Sequence, residues 1–172
     1  GLDEITVPLP EIVEDGNNPL ENAIKKAEAY FDVLKTPLFS CDSGLYFDGI
    51  APSLQPGLNI RRVNGSVLSD DEMIEYYSKL SKDHGGKLIG RYKNAICLIL
   101  PDGRKFTSFD ESLWTEPFIL SSNPHPHRVS GFPLDSLSVD IKSGKYYYDM
   151  ESKSVDQDAV KMGFFNFLKE TL

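Results

Sequence analysis

Apolar positions recur with two different spacings along this chain of 172 residues, and the change of spacing marks its elements. After an apolar entry at Ile5, Val7 and Leu9, the residues Leu20, Ala23, Ile24, Ala27, Phe31 and Leu34 follow the helical period of about 3.6. Asn18-Pro19-Leu20-Glu21 supplies an N-cap amide, a proline at the first helical position and a glutamate in the manner of a capping box, and Pro37 stops the helix. Its polar face carries Glu21, Lys25, Lys26 and Glu28. Ser69-Asp70-Asp71-Glu72 is a second capping box, opening a helix with Met73, Ile74, Tyr77 and Leu80 inward and Gly85-Gly86 beyond its end. Val160, Phe164, Phe167 and Leu168 mark a closing helix.

Between the helices the pattern shortens. Leu38 to Cys41 predicts a buried strand that ends at Asp42-Ser43-Gly44 and presents a carboxylate there, and Leu45 to Phe47 predicts a second short strand before a Pro- and Gly-rich loop from Gly49 to Asn59. Ile89 to Leu100 and Lys105 to Leu113 flank Pro101-Asp102-Gly103-Arg104 and read as a long antiparallel hairpin. Asp140 to Asp149, around Lys142-Ser143-Gly144-Lys145, reads as a shorter one. No repeat or low-complexity tract interrupts the chain. The expected architecture is α/β, a mixed sheet with helices packed on it, as a single domain over residues 1–172.

Composition removes several function classes. Eighteen Lys and Arg against 26 Asp and Glu give a net charge of −8, the wrong sign for a nucleic-acid binder, so a phosphate-bearing ligand needs local Lys or Arg or a metal ion. No apolar run approaches the roughly 20 residues that span a bilayer, and no signal peptide opens the chain, so a soluble protein without a membrane partner is expected. Cys41 and Cys97 lie in apolar, strand-like runs and read as buried free thiols of a reducing compartment.

Glu14, Lys26 and Asp42 form the first candidate constellation. One precedes the first helix, one lies on it, and one ends the strand that returns beside it. Two carboxylates and an ammonium at one edge suit a Mg²⁺-assisted phosphoryl reaction, and the competing reading is solvated surface charge. Asp42-Ser43-Gly44 either holds an anion or metal at a tight turn or is an Asx-turn that reverses the chain. His125 and His127 alternate with prolines in an extended loop and need ligands from elsewhere to clip a metal, while His84 suits a helix C-terminus. No nucleophile elbow, Walker loop or dinucleotide fingerprint occurs.

The order of these pieces resembles the inosine triphosphate pyrophosphatase family. Glu14-Asp15-Gly16 followed by Glu21-Asn22-Ala23-Ile24-Lys25-Lys26-Ala27 is similar to that family's Glu-x-Gly and Glu-Asn-Ala-x-x-Lys-Ala. Asp42-Ser43-Gly44-Leu45-Tyr46-Phe47-Asp48 is similar to its Asp-Ser-Gly-Leu-x-x-Asp, Pro56-Gly57 to the Pro-Gly before its arginine-containing segment, and Ser130-Gly131-Phe132 with Asp135 to Gly-Phe-Gly-Tyr-Asp-Pro. The resemblance implies an elongated α/β domain with two lobes around a cleft, usually a homodimer in the cytoplasm. It implies Mg²⁺-dependent hydrolysis of non-standard purine nucleoside triphosphates to monophosphate and pyrophosphate, Mn²⁺ being the alternative metal. By position Glu14 and Asp42 hold the metal, Asp42 is the base, Lys26 with Arg61 or Arg62 faces the phosphates, Ser43 lies beside the substrate and Phe132 stacks on the base, with Asp135 in the same motif. The chain departs from the pattern in four places. It starts beyond the family's opening strand and phosphate-gripping loop, Cys41 replaces a second acid, Gly-Tyr-Asp-Pro becomes Pro133-Leu134-Asp135-Ser136, and Lys161 is the donor left where Ser-His-Arg reads the purine. The rival expectation is a weakened relative that binds nucleotides or acts as a dimeric interaction protein.

Overall fold

Asn18 opens the first helix, as its spacing predicts. In the computed structural model, which describes residues 8–150 and 154–172, α1 runs over Pro19–Leu34. The Asn18 side chain accepts from the Glu21 N–H at 3.0 Å, and Pro19 stands where a helix has no acceptor for an N–H. Glu21 reaches one residue further back than a capping box does and accepts from the Asn17 N–H at 2.8 Å. The chain leaves α1 through Lys35 in the left-handed region at φ 51°. Of the apolar entry, Ile5 and Val7 lie outside the described residues.

β1 covers Leu38–Phe47 without a break and pairs antiparallel along its whole length with β4, Lys87–Ile99. The two short strands expected around Asp42-Ser43-Gly44 are therefore one, and no turn forms between them. Asp42 lies opposite Ala95, Ser43 opposite Asn94 and Gly44 opposite Lys93. Continuous pairing with a long partner outweighs the local turn preference of Asp, Ser and Gly. Gly44 answers instead to close approach. A Cβ there would come within 3.1 Å of the Gly57 carbonyl and 2.9 Å of the Tyr46 ring, and Leu45 and Gly57 exchange both backbone hydrogen bonds at 2.9 Å.

After β1 come a small hairpin, β2 (Arg62–Val63) and β3 (Ser66–Val67), and the helix α2, Asp70–Asp83. Its capping box is reciprocal, with the Ser69 N–H donating to Glu72 at 2.8 Å, and Met73, Ile74, Tyr77 and Leu80 are buried. β5 (Lys105–Ser108), β6 (Phe118–Ser121) and β7 (Ser138–Asp140) complete the main sheet in the order β1-β4-β6-β7, with β5 beside the far half of β4. Every pairing is antiparallel among the described residues, where the sequence reading expects a mixed sheet. β4 is long enough to take β6 on its first half and β5 on its second.

Both hairpins are shorter than their sequences suggest. The limb after Gly103 stops at Ser108, where the Asp110 N–H turns back to the Ser108 hydroxyl before a 3-10 turn at Glu111–Leu113. From Asp140 the chain makes a tight turn, closed by the Ser143 N–H on the Asp140 carboxylate, with a single bridge between Val139 and Tyr146 and a 3-10 turn at Tyr147–Asp149. The closing helix α3, Ser154–Thr171, packs against Glu111–Leu113. Gly163 lies where it crosses the Ser112 carbonyl too closely for any Cβ.

Two hydrophobic cores sit on opposite faces of the sheet. Ala23 and Ala27 of α1 pack on Ala95, Cys97 and Ile99 at one end, while α2 packs Met73, Ile74 and Tyr77 on Leu45, Phe47, Leu88, Phe118 and Leu120 at the other. The alternation of side chains along β1 produces this offset, since its even positions face α1 and Leu45 and Phe47 face α2. The same alternation corrects the reading of one thiol. Cys97 is buried under α1, but Cys41 projects from the other face of β1 and is exposed. No helix among the described residues is long and apolar enough to cross a membrane.

Candidate functional site

The middle of β1, where one core gives way to the other, is where the chemistry gathers. Asp42 is an even position and points toward α1, so it meets the polar stripe of that helix where its apolar contacts end. Lys26 donates to Asp42 Oδ1 at 2.8 Å and pairs with Glu14 Oε1 at 3.1 Å. Asn22, one turn earlier on α1, donates from Nδ2 to Asp42 Oδ2 at 3.2 Å and accepts the Gly16 N–H on Oδ1 at 2.8 Å. Glu14, Lys26 and Asp42, scattered along the sequence, thus share one point in space, and the solvated-surface reading of them does not hold for Lys26 and Asp42, whose side chains are 15% and 12% exposed.

Burial pushes the Lys26 ammonium toward a lower pKa, but hydrogen bonds to Asp42 and Glu14 and the charges of both carboxylates outweigh it, and the net shift is upward. Lys26 is therefore a cation through the neutral range. Next along the same face, burial and the Asp42 charge push the Tyr46 phenol up, so it stays neutral, and the Lys93 ammonium lies over the Tyr46 and Trp114 rings at 5.0 and 4.3 Å.

Glu14 and Asp42, the partners of Lys26, and Asn22, bonded to Asp42, line a cleft of about 680 Å³. Glu14, Gly16, Asn22, Asp42 and Ser43 line it from α1, the segment before α1 and β1, and Asn59, Arg61, Arg62 and Val67 form the wall contributed by the chain after β1. The Ser43 hydroxyl donates to Asn94 Oδ1 at 2.6 Å, across the strand pair. Lys25 is paired with Asp15, and Arg61 is tied at 2.8 Å to Asp70. Arg62 makes no ion pair among the described residues, is exposed and reaches the cleft wall, so its guanidinium is available to an incoming anion.

The remaining candidates stand elsewhere. Phe132 is 62% exposed beside Gly131, whose N–H donates to Asp70 at 2.7 Å, but it does not line the cleft. Asp135 sits in a 3-10 turn, Pro133–Ser136, packed on α2, and its charge joins burial in pushing the Tyr92 phenol up to about 12. Lys161 is on α3, none of whose described residues lines the cleft. Asn22 is the group that sequence reasoning left without a role. Its signal was present, a polar residue at the position one turn before Lys26 on a helix face that the adjoining Ala23 and Ala27 bury.

Glu14 and Asp42 offer oxygen donors, the chemistry that hard divalent cations take, and the ammonium between them shows that one cation already sits within reach of both. No cluster of three or more His, Cys, Asp or Glu gathers for a metal among the described residues. Two carboxylates fit Mg²⁺, which keeps several waters and takes substrate phosphates as further ligands.

The sequence model of the Ham1 family matches residues 2–122. A dITP/XTP pyrophosphatase of Geobacter sulfurreducens is 30% identical over 130 residues, which is 75% of this chain and 61% of that protein. One of Syntrophobacter fumaroxidans is 32% identical over 154 residues, 88% of this chain and 60% of its own length, so the chain spans about three fifths of both relatives. The solved Ham1 protein of Staphylococcus aureus superposes with a TM-score of 0.72 at 20% identity, over 94% of this chain and 82% of that one.

Proposed function

The chain belongs to the Ham1 family, and from that premise we propose that it hydrolyses nucleoside triphosphates, non-standard purine ones by analogy with its relatives, to monophosphate and pyrophosphate. One observation carries the reading: two carboxylates from separate segments, Glu14 and Asp42, converge on a single cation, the Lys26 ammonium, beside a cleft that Arg62, without an ion pair among the described residues, also lines. Glu14 and Asp42 would hold a divalent ion, magnesium or in its place manganese, which when bound neutralises phosphate charge and polarises the phosphoryl oxygens. Water adds to phosphorus, the bond to the bridging oxygen breaks, and pyrophosphate leaves with the electron pair. Each Asp42 oxygen keeps a lone pair beyond its bond to Lys26 or Asn22, so the carboxylate can orient that water and accept its proton. Lys26, bonded to the two carboxylates of the cleft, and Arg62, which lines it, supply positive charge toward the phosphates, and Arg61, engaged by Asp70, holds the segment that carries Arg62 in place. Phe132 and Asp135 approach the base only if the Arg61–Asp70–Gly131 connection carries that segment inward, and Lys161, on a helix packed against Glu111–Leu113, lies outside that connection. A homodimeric, cytoplasmic protein completes the proposal and rests on the family resemblance.

The test is pyrophosphate release from ordinary and deaminated purine triphosphates with Mg²⁺, comparing the parent protein with Asp42→Asn. Loss of about a thousandfold in turnover is expected, since the substitution removes charge, base and metal ligand together. Undiminished release by Asp42→Asn rejects the assignment. No release by the parent protein leaves the weakened, nucleotide-binding relative as the correct description.

A further inference from the structure

Asn22 is 1% exposed in the interior of α1, where alanine would favour the helix more. Its amide is used at both ends and in opposite senses. Oδ1 accepts the Gly16 N–H at 2.8 Å, and Nδ2 donates to Asp42 Oδ2 at 3.2 Å. Only one orientation of the amide satisfies both neighbours, because a backbone N–H needs an oxygen and a carboxylate needs an N–H. The side chain therefore joins two parts of the cleft that have no backbone connection to one another, the segment that carries Glu14 and the strand that carries Asp42.

Other tethers of that segment are weaker. Asp15 with Lys25 and Asn17 with Glu21 are exposed, and Glu14 itself is 49% exposed where it meets Lys26. Gly16 matches the amide closely, since a Cβ there would fall 2.5 Å from Asn22 Oδ1. Asp42 has one oxygen held by Lys26 and the other by Asn22, which fixes the plane of the carboxylate. We infer that Asn22 is a positioning residue, which sets the separation and orientation of Glu14 and Asp42 and so determines how tightly the pair binds a divalent cation. The inference rests on the metal-assisted reading above, and Asn22 acts through its neighbours.

Mn²⁺ titration of the full chain, followed by the electron paramagnetic resonance signal of free Mn²⁺, measures the effect directly. The Mg²⁺ concentration for half-maximal pyrophosphate release and the KM for nucleotide at saturating Mg²⁺ accompany it. Asn22→Ala should weaken Mn²⁺ binding and raise the Mg²⁺ requirement together, by about tenfold or more, the scale typical of outer partners of metal ligands, while KM for nucleotide stays within about twofold. Gly16→Ala, which displaces the same hydrogen bond from a segment outside the helices, should move both quantities in the same direction and covers the case in which Asn22→Ala does not fold. Mn²⁺ affinity within about twofold of the parent in a folded Asn22→Ala, or in Gly16→Ala if that variant alone folds, overturns the inference. So does a parent protein that binds no Mn²⁺ at millimolar concentration. Mn²⁺ binding that depends on Asn22 in a protein releasing no pyrophosphate upholds the positioning role and refutes the proposed reaction instead.

Discussion

Replacing Lys26 by methionine should move two readouts in opposite directions. The ammonium lies 2.8 Å from Asp42 and 3.1 Å from Glu14. At ~3 Å two unit charges attract by roughly 1.4 kcal/mol in water and roughly 5.5 kcal/mol at an effective dielectric of about 20. Asp42, 12% exposed, is nearer the second limit and Glu14, 49% exposed, nearer the first. Lys26→Met leaves a mostly buried carboxylate without its cation, so the metal-free protein should lose about 3 kcal/mol of stability, read from urea unfolding. The same removal should favour a divalent ion. One unit charge acting on a doubly charged ion across ~5 Å of water is worth about 1.7 kcal/mol, so Mn²⁺ should bind roughly 15-fold tighter and restore much of the lost stability. Turnover at saturating Mg²⁺ should nevertheless fall by about 10²–10³, because the phosphates lose a fixed positive group. A variant that binds Mn²⁺ more weakly than the parent, or that keeps more than about a third of its kcat, contradicts the reading of Lys26 as both the cation between the carboxylates and a phosphate ligand.

Gly44→Ala should destabilise by roughly 1–3 kcal/mol in urea unfolding, because the new methyl meets the Gly57 backbone and the Tyr46 ring; an unchanged midpoint would mean that the loop yields freely. Tyr77 is fully buried and its hydroxyl donates to the Ile60 carbonyl at 2.7 Å, so Tyr77→Phe should cost about 1 kcal/mol and loosen the wall that carries Arg61 and Arg62, seen as a higher KM for nucleotide. The Gly131 N–H and then Arg61 hold the Asp70 carboxyl below the usual carboxylate range. Its stabilisation is complete above the unfolded pKa of about 3.9 and is lost as pH falls through the lower folded value. Asp70→Asn should therefore lower Tm at about pH 6 and converge with the parent at about pH 2, and a gap that persists in acid would remove Asp70 ionisation as its cause.

Local signals along the chain determined its helices and much of its hairpin. Asn18-Pro19 and Ser69 with Glu72 act within one helical turn, and their caps form as written. The same holds for the inward faces of both helices, which a single period specifies. Asp42-Ser43-Gly44 shows the limit of such reading. Its residues favour a turn, but pairing with β4 keeps them extended, and that energy comes from a strand more than forty positions away. Cys41 is exposed for the same kind of reason, because which face of a strand is covered depends on where the helices land.

For the site, the sequence supplied the residue types and the tertiary structure supplied the distances. Glu14, Lys26 and Asp42 are the right chemistry at any separation, but only α1 lying across the middle of β1 brings all three to one point and recruits Asn22 between them. Arg61 and Arg62 are neighbours in sequence and opposite in use, one locked to Asp70 and the other open to the cleft, because the fold offers a carboxylate to the first and solvent to the second. Charge and hydrogen bonding act over a few ångströms of space, and the order of residues in a chain does not fix those distances until the chain has packed.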